Sequence, residues 1–391
     1  MPAHQLTAFP RVGIIILNWN GKADTVECLH SLRKIDYPNY QVIVVDNGST
    51  DDSVQTFRDQ FPEIIVLPQT ENLGFAEGSN CGIEYALAAG CDYVLLLNND
   101  TVVAPDFLTE LIAVGEHYPE IGMLSPVMYY YQSDTHVKLN KSFFQTLHDE
   151  GVPDDVLIRL KSLKYQKFSS IEDLRNAIES QIGEEQTASY HALFLKHAQQ
   201  ENIWFCAGEV HWNTGEINLI GDLSQVKYLP GDSRVIESDF LAGCAQLVKA
   251  EVIRKIGLLD PKFFAYFEDA DWSFRCQHAG WKTVVVTTAK IWHKVASTAP
   301  ANIVLIWHYR NLILLCWKES TLFQFPGRCR HIVAACLRKS RKYRGSELGE
   351  AVMHGVWSAI TLKFGKAYRP MPQWMLHYID HHIQYFLKLF Q

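Results

Sequence analysis

The sequence has no Cys-x-x-Cys pair; its nine cysteines are scattered at positions 28, 81, 91, 206, 244, 276, 316, 329 and 336. An odd, unclustered set argues against both a zinc site and a disulfide framework and points to a reducing cytoplasm. There is also no uninterrupted apolar run of membrane-spanning length. The longest candidate, residues 303–317, is short and broken by His308 and Arg310. Residues 1–10 lack the charged-then-apolar pattern of a secretory signal. No internal repeat or low-complexity tract occurs. Excess positive charge is missing as well: the formal net charge is −7, which speaks against general nucleic-acid binding. Finally, no glycine-rich phosphate loop follows the first strand-like run. The turn there reads Asn18-Trp19-Asn20-Gly21, which disfavours a nicotinamide-dependent dehydrogenase.

What is present can build a large core, with 48% hydrophobic and 20% charged residues in 391. Residues 12–17 (VGIIIL), 41–45 (QVIVV), 64–67 and 93–97 (YVLLL) are continuous apolar runs, the mark of parallel strands covered on both faces. Residues 23–34, 53–61, 76–89 and 106–117 between them have helical periodicity. This alternation predicts an α/β fold with a doubly wound, mostly parallel sheet, whose ligands bind beyond the carboxyl ends of the strands. Residues 132–202 are charged and lack strand patterning. Helical spacing at 156–163, 171–180 and 188–199 predicts a helical insertion there. Strand character returns at 203–212, with a turn at Asn213-Thr214-Gly215, and again at 234–240. A last α/β stretch covers 250–293, followed by helices at 302–318, 329–343, 347–364 and 374–389. The chain divides in this reading into a catalytic domain, 1–300, and a helical carboxyl-terminal region, 301–391. The latter carries 13 Lys+Arg against 4 Asp+Glu, a net of +9, which leaves residues 1–300 at −16.

Several motifs stand at the strand ends. Asp46-Asn47-Gly48-Ser49-Thr50-Asp51 offers a carboxylate to a nucleobase or ribose, although an ordinary turn and helix cap would use the same residues. Asn72-Leu73-Gly74-Phe75-Ala76-Glu77-Gly78-Ser79-Asn80 opens a helix. Its glycines would allow close backbone approach to a ligand, and a helix start favours anions. Asn98-Asn99-Asp100 ends the buried strand YVLLL with oxygen ligands suited to a hard divalent cation bridging two phosphates. Residues 263–272, FFAYFEDADW, set three carboxylates among aromatics. Desolvation there raises a carboxyl pKa and makes a better general base, whereas acidic residues at a helix start are also common for electrostatic reasons alone. Ile291-Trp292-His293 places an imidazole at a strand end.

In this order the motifs resemble the family 2 glycosyltransferases with a GT-A fold, especially their bacterial rhamnosyltransferase-like branch. NWNG, VVDNGSTD, ENLGFAEGSN, LLLNNDT, DFLAGCAQLVKAEVIRKIG, FFAYFEDADWSFR and the terminal WH carry the resemblance across most of 12–295. It implies that Asp46 contacts a uracil or thymine base, and that Asn18, Asn20, Asn72, Gly74, Asn80, Asn98 and Asn99 line the nucleotide-sugar pocket. It further implies that Asp100 and His293 hold a magnesium or manganese ion. Asp269 would be the catalytic base, Glu268 and Asp271 its neighbours, and Gly243 part of the acceptor-side loop. The family's Asp-x-Asp is reduced here to one carboxylate, so the diphosphate itself would supply metal ligands.

The implied activity is inverting, metal-dependent transfer of a sugar from a UDP- or dTDP-sugar to a hydroxyl of a saccharide or lipid-linked saccharide, in cell-surface polysaccharide or glycolipid synthesis. The basic residues Arg310, Arg328, Arg330, Arg338, Lys339, Arg341, Lys342 and Arg344, near Trp307, Trp317 and Phe325, suit an anionic membrane surface. They suggest a cytoplasmic protein held at the inner face of the plasma membrane; a solvated face packing on the acidic body is the plainer alternative. Two other classes compete. A sugar-phosphate nucleotidyltransferase would show a glycine-rich basic loop after strand one. A non-catalytic nucleotide-sugar-binding scaffold would not need the intact Glu268-Asp269-x-Asp271 block.

Overall fold

The computed structural model describes residues 9–131, 137–138, 144, 147–163, 167–168, 171–190, 203–212, 216–295 and 299–389. The expected turn at 213–215 and most of the expected helix at 188–199 lie outside them. The chain forms two compact units. One comprises Met1–Val127, Phe205–Ile291 and Ala296–Gln391; the other comprises Met128–Trp204 with Trp292–Val295.

The first unit begins with β1 (Val12–Asn18), α1 (Lys22–Leu32), β2 (Tyr40–Asp46), α2 (Ser53–Gln60), β3 (Ile65–Pro68), α3 (Gly74–Ala88), β4 (Tyr93–Asn98), β5 (Thr101–Val103), α4 (Phe107–His117) and β6 (Ile121–Tyr130). The apolar runs become strands because both faces are covered: Ile14, Ile15, Ile16, Val44, Val45, Leu95 and Leu96 are all buried. β1 pairs in parallel with β2 and β4, with Asn18 opposite Asp46 and Leu17 opposite Asn98. That register brings three strand ends level with one another, and with them the polar turns that follow. Helix α3 lies close on the sheet because Gly78 faces Leu17 and Asn47. Gly78 therefore serves helix–sheet packing rather than the approach to a ligand expected for it.

After the second unit come β7 (Ala207–His211), β8 (Glu216–Ile220), β9 (Lys227–Leu229), β10 (Asp232–Glu237), β11 (Ala245–Lys249), α7 (Ala250–Ile256), α8 (Glu268–His278) and β12 (Lys282–His293). The sheet order is β9-β10-β12-β6-β11-β4-β1-β2-β3. β11 runs antiparallel to β4, so the parallel half carries an antiparallel continuation. The fold is the expected α/β class, mixed, with β3, β2, β1 and β4 parallel.

Four helices close the chain: α9 (Ala301–Lys318), α10 (Phe325–Lys342), α11 (Glu347–Ile360) and α12 (Gln373–Leu389). Leu312, Ile313, Cys316, Ile332, Cys336, Val352 and Val356 form one core among α9, α10 and α11. Leu314 and Leu315 of α9 join Phe240, Phe263, Ala270 and Phe274 in another. These helices belong to the first unit and share its core. Arg310 departs from the basic face expected of it: it is 0% exposed and inside this core.

In the second unit, helices at Asp154–Leu160 and Ile171–Ile182 pack through Leu147, Val156, Leu160, Leu174 and Ile178. Within that unit the His293 ring lies edge-on to Trp204 at 4.6 Å, and its carbonyl accepts the Tyr131 N–H at 2.9 Å.

Candidate active site

The motif turns of the first unit are stitched to one another in sequence. Asn18 Nδ2 donates to Asp46 Oδ2 at 2.7 Å and to Ser49 Oγ at 3.1 Å. The Ser49 N–H donates to the other oxygen, Asp46 Oδ1, at 3.0 Å. Thr25 Oγ1 donates to Asn18 Oδ1 at 2.8 Å and accepts from Asn99 Nδ2 at 3.0 Å, tying the first turn to the third. The Asn98 N–H donates to the Cys244 carbonyl at 2.8 Å. One residue earlier, the Gly243 N–H donates to Asp269 Oδ2 at 2.7 Å. The Phe264 carbonyl, five residues before Asp269, accepts from the N–H groups of Phe75 and Ala76 at 2.6 and 3.2 Å. Asn47 closes the circuit: its amide bonds Asn72 Oδ1 at 3.1 Å and the Gly74 carbonyl at 3.0 Å. Donor saturation of this kind fixes loops that sheet pairing alone leaves free.

This network revises several expected contacts. Asp46 is 2% exposed, with each oxygen accepting a protein donor, so it shapes the β1–β2 turn from within. Asn80 is buried and exchanges hydrogen bonds with Leu259, donating at 2.9 Å and accepting at 3.0 Å, so it clasps the loop after α7. The start of α3 is not an open anion cradle, because the Phe264 carbonyl takes its first N–H groups. Gly74 stands there at φ +87°, where a Cβ would overlap the Phe264 ring. Asn72 caps this turn through the Gly74 N–H at 2.8 Å. Asn20, exposed at φ +52°, accepts from the Thr50 N–H at 2.8 Å.

Three carboxylates open α8, and the structure separates their roles. Asp269 is partly exposed, and its oxygens accept from the Gly243 and Ala270 N–H groups at 2.7 and 2.8 Å. Burial raises its pKa above the ordinary value while these donors pull it down. Glu268 is buried, and among the described residues Oε2 has no hydrogen-bond partner. Desolvation, then the neighbouring Asp269 charge, pushes its pKa well above the usual range. Asp271 is 0% exposed and held by Arg275 at 2.9 Å and Lys318 at 2.6 Å. Expected as a neighbour of Asp269, it lies in an internal ion pair that fastens α9 to α8, because a buried carboxylate needs counter-charges.

The approach to α8 is strained. Phe264, Tyr266 and Phe267 have φ of +64°, +73° and +72°, a left-handed region that costs aromatic residues about 1–3 kcal/mol each. Helix α9 backs the whole segment. Trp307 packs on Phe264 at 4.8 Å and His308 on Phe267 at 4.9 Å. Asn311 Nδ2 lies 2.8 Å from the carbonyls of Phe263, Ala265 and Tyr266. Thr25, Asn47, Arg310 and Asn311 thus carry the site's framework, though no strand-end pattern marks the last two. The signal available for them was a polar Arg-Asn pair inside an otherwise apolar helix.

The metal set is sparse. Asp100 is 6% exposed at the end of β4, beside Asn98 and Asn99. Among the described residues no three His, Cys, Asp or Glu side chains converge as a metal cluster. One carboxylate with flanking amides fits an ion that takes most of its ligands from a diphosphate and water, as magnesium commonly does. His293 lies in the second unit, so its partnership with Asp100 rests on the sequence alone.

A parallel sheet with polar turns at its carboxyl edge and an antiparallel extension is a GT-A type of α/β fold. The model of glycosyl transferase family 2 matches residues 13–175, and with the glycosyltransferases this chain resembles it marks the chain as a glycosyltransferase. N-acetylglucosaminyl-diphospho-decaprenol L-rhamnosyltransferase of Mycobacterium tuberculosis is 24% identical over 316 residues, covering 78% of this chain and 84% of the relative. Glycosyltransferase GlyG of Streptococcus pneumoniae is 29% identical over 120 residues, covering 27% of this chain and 39% of the relative. Among solved structures, GalNAc-T7 with UDP, GalNAc and Mn2+ superposes with a TM-score of 0.53 at 13% identity. That likeness spans 97% of this chain but 58% of the other, and at such identity it establishes the fold alone.

Proposed function

We propose that the protein is an inverting glycosyltransferase that moves a sugar, of which rhamnose is the first to test, from a nucleoside diphosphate to a hydroxyl of a lipid-linked saccharide. The observation that carries this reading is Asp269: a partly exposed carboxylate, its pKa raised by burial, aimed by the Gly243 N–H at 2.7 Å. Such a group is suited to remove the proton from an acceptor hydroxyl. The oxygen so activated attacks the anomeric carbon opposite the departing diphosphate, and one displacement without a covalent intermediate inverts the anomeric configuration. Asn20 and the backbone of the β1 and β2 turns are the groups we assign to the nucleotide, on the resemblance of their motifs and the exposure of Asn20 at the strand ends. A bound magnesium or manganese ion, held by Asp100 with Asn98 and Asn99, would neutralise charge on the diphosphate. His293 is proposed for the same shell on the resemblance of its motif. The acceptor class follows the printed activity of the mycobacterial relative. Exposed Leu322 and Phe323 beside the basic helix α10 support attachment to an anionic lipid surface on the cytoplasmic side.

The test is a panel of UDP-, dTDP- and GDP-sugars with N-acetylglucosaminyl-diphospho-decaprenol, with and without magnesium or manganese, read as released nucleoside diphosphate. Metal-dependent release from one donor supports the proposal and names the sugar. Nucleotide binding without release from any donor would favour the scaffold instead.

A further inference from the structure

The strained segment before α8 has to be held by something. A left-handed conformation at three aromatic residues persists only where the surroundings over-determine it. The candidates are few. The Phe264 carbonyl is tied to α3, but the carbonyls of Phe263, Ala265 and Tyr266 all turn to one side chain on α9. The Asn311 amide has two hydrogens for three acceptors at 2.8 Å, so one hydrogen is shared. Its own oxygen accepts from Arg310 Nε at 2.9 Å, which settles which end of the amide faces the loop. Arg310 Nη2 adds a bond to the Phe263 carbonyl at 3.0 Å, and Nη1 reaches the Gly365 carbonyl at 2.6 Å. Both side chains are 0% exposed, so each of these bonds replaces water that has been excluded.

The held residues lead directly into the base. Phe267, at φ +72°, is the residue before the first turn of α8, and Asp269 lies two residues on. Releasing the Ala265 and Tyr266 carbonyls would let the left-handed turn relax and rotate the start of α8. The 2.7 Å contact between Gly243 and Asp269 depends on that start.

We propose that Asn311, braced by Arg310, is a positioning residue for the catalytic base: it clamps the 263–267 turn so that α8 presents Asp269 to the acceptor. The inference rests on Asp269 being the base. Asn311 touches no reacting atom; it acts through the backbone of the turn, and a helix outside the nucleotide-binding half thereby controls the chemistry.

A double-mutant cycle on the full chain tests it, with Asn311→Leu, Asp269→Asn and the pair. Turnover is followed with dTDP-rhamnose, or with whichever sugar nucleotide of the panel the unaltered enzyme uses fastest, and the affinity for UDP and dTDP by calorimetry. Asn311→Leu is expected to lower kcat by about tenfold to a hundredfold, the usual effect of a misplacement near 1 Å, with nucleotide affinity unchanged. In the Asp269→Asn background it should cost no more than about twofold further, since the group it positions is already gone. Losses that multiply, or nucleotide affinity falling in step with kcat, would overturn the positioning role and show Asn311 to be merely structural. Unimpaired turnover in Asp269→Asn alone overturns the base assignment itself, and is read from that single variant independently of Asn311. Where Asn311→Leu loses its cooperative thermal unfolding transition and so does not fold, Asn311→Ser, which keeps one donor, carries the same cycle with a smaller expected loss.

Discussion

At the scale of single residues, three carboxylates within four positions have three different fates, and environment decides each. Asp269 keeps backbone donors and an opening to solvent, Glu268 is buried with no counter-charge among the described residues, and Asp271 has two cations. Asp269→Asn is expected to reduce kcat by about 10²–10⁴-fold, the ordinary contribution of a positioned base, with nucleotide affinity retained. The pH dependence follows in sign. The base acts ionised, and its pKa is raised, so kcat should fall as pH drops through a value above the ordinary aspartate figure of about 3.9. Glu268 titrates beside it, so the measured limb belongs to the pair. His308, facing Phe267, is pushed down to about 4 by burial. An acid limb of kcat centred below 4 would refute the raised base. Glu268 has a stability consequence as well. Its carboxyl binds a proton more tightly folded than unfolded, so folding loses stability as pH rises past the unfolded value of about 4.3. Glu268→Gln, neutral at every pH, should raise Tm at pH 8 and leave it nearly unchanged at pH 4. An equal shift at both values would show that the charge of Glu268 is not what burial opposes.

At the scale of elements, the parallel strands and the turns at their ends were legible because continuous apolar runs have few alternatives to a covered sheet. The base motif stood out because carboxylates among aromatics are rare. The partners of those turns were not legible. Asn47 looks like a turn residue in the sequence and is a 2% exposed clasp in the fold; Asn80 looks like a ligand group and grips Leu259 from 179 residues away. Hydrogen bonds across such separations leave no periodicity to detect. Asp271 is the clearest instance: its counter-ion Lys318 sits 47 positions later on α9, a helix whose sequence advertises only hydrophobic packing. Lys318→Met should therefore destabilise the fold by about 3 kcal/mol, the lower end for breaking a buried pair, because Arg275 still holds the carboxylate. Chemical denaturation of the variant measures it. A change under half a kilocalorie would mean that Arg275 suffices and that Lys318 does not fasten α9.

At the scale of the whole chain, the region 301–391 and the body before it have buried residues in common. Helices α9, α10 and α11 share buried residues with the body that carries the base, and Arg310 and Asn311 lie inside that junction. Removing residues 301–391 would strip the support from the 263–267 turn as well as any lipid contact, so a truncation cannot separate membrane docking from folding. Point substitutions at the exposed turn between α9 and α10 can. Leu322 and Phe323 are 78% and 96% exposed there, and Arg330, Arg338, Arg341 and Lys342 on α10 are exposed too. Apolar side chains projecting beside cations are the pattern of an interfacial contact, in which hydrocarbon burial and attraction to anionic lipid add. Transferring an exposed leucine or phenylalanine into an apolar medium contributes about 1.5–3 kcal/mol, so replacing both with serine should weaken binding to phosphatidylglycerol vesicles by at least about tenfold. Nucleotide affinity should be unaffected. Binding should also weaken as salt rises toward 1 M, where the screening length falls to about 3 Å. Vesicle binding that survives Leu322→Ser with Phe323→Ser would place the lipid contact elsewhere on the molecule. Binding indifferent to salt would remove the basic residues from it.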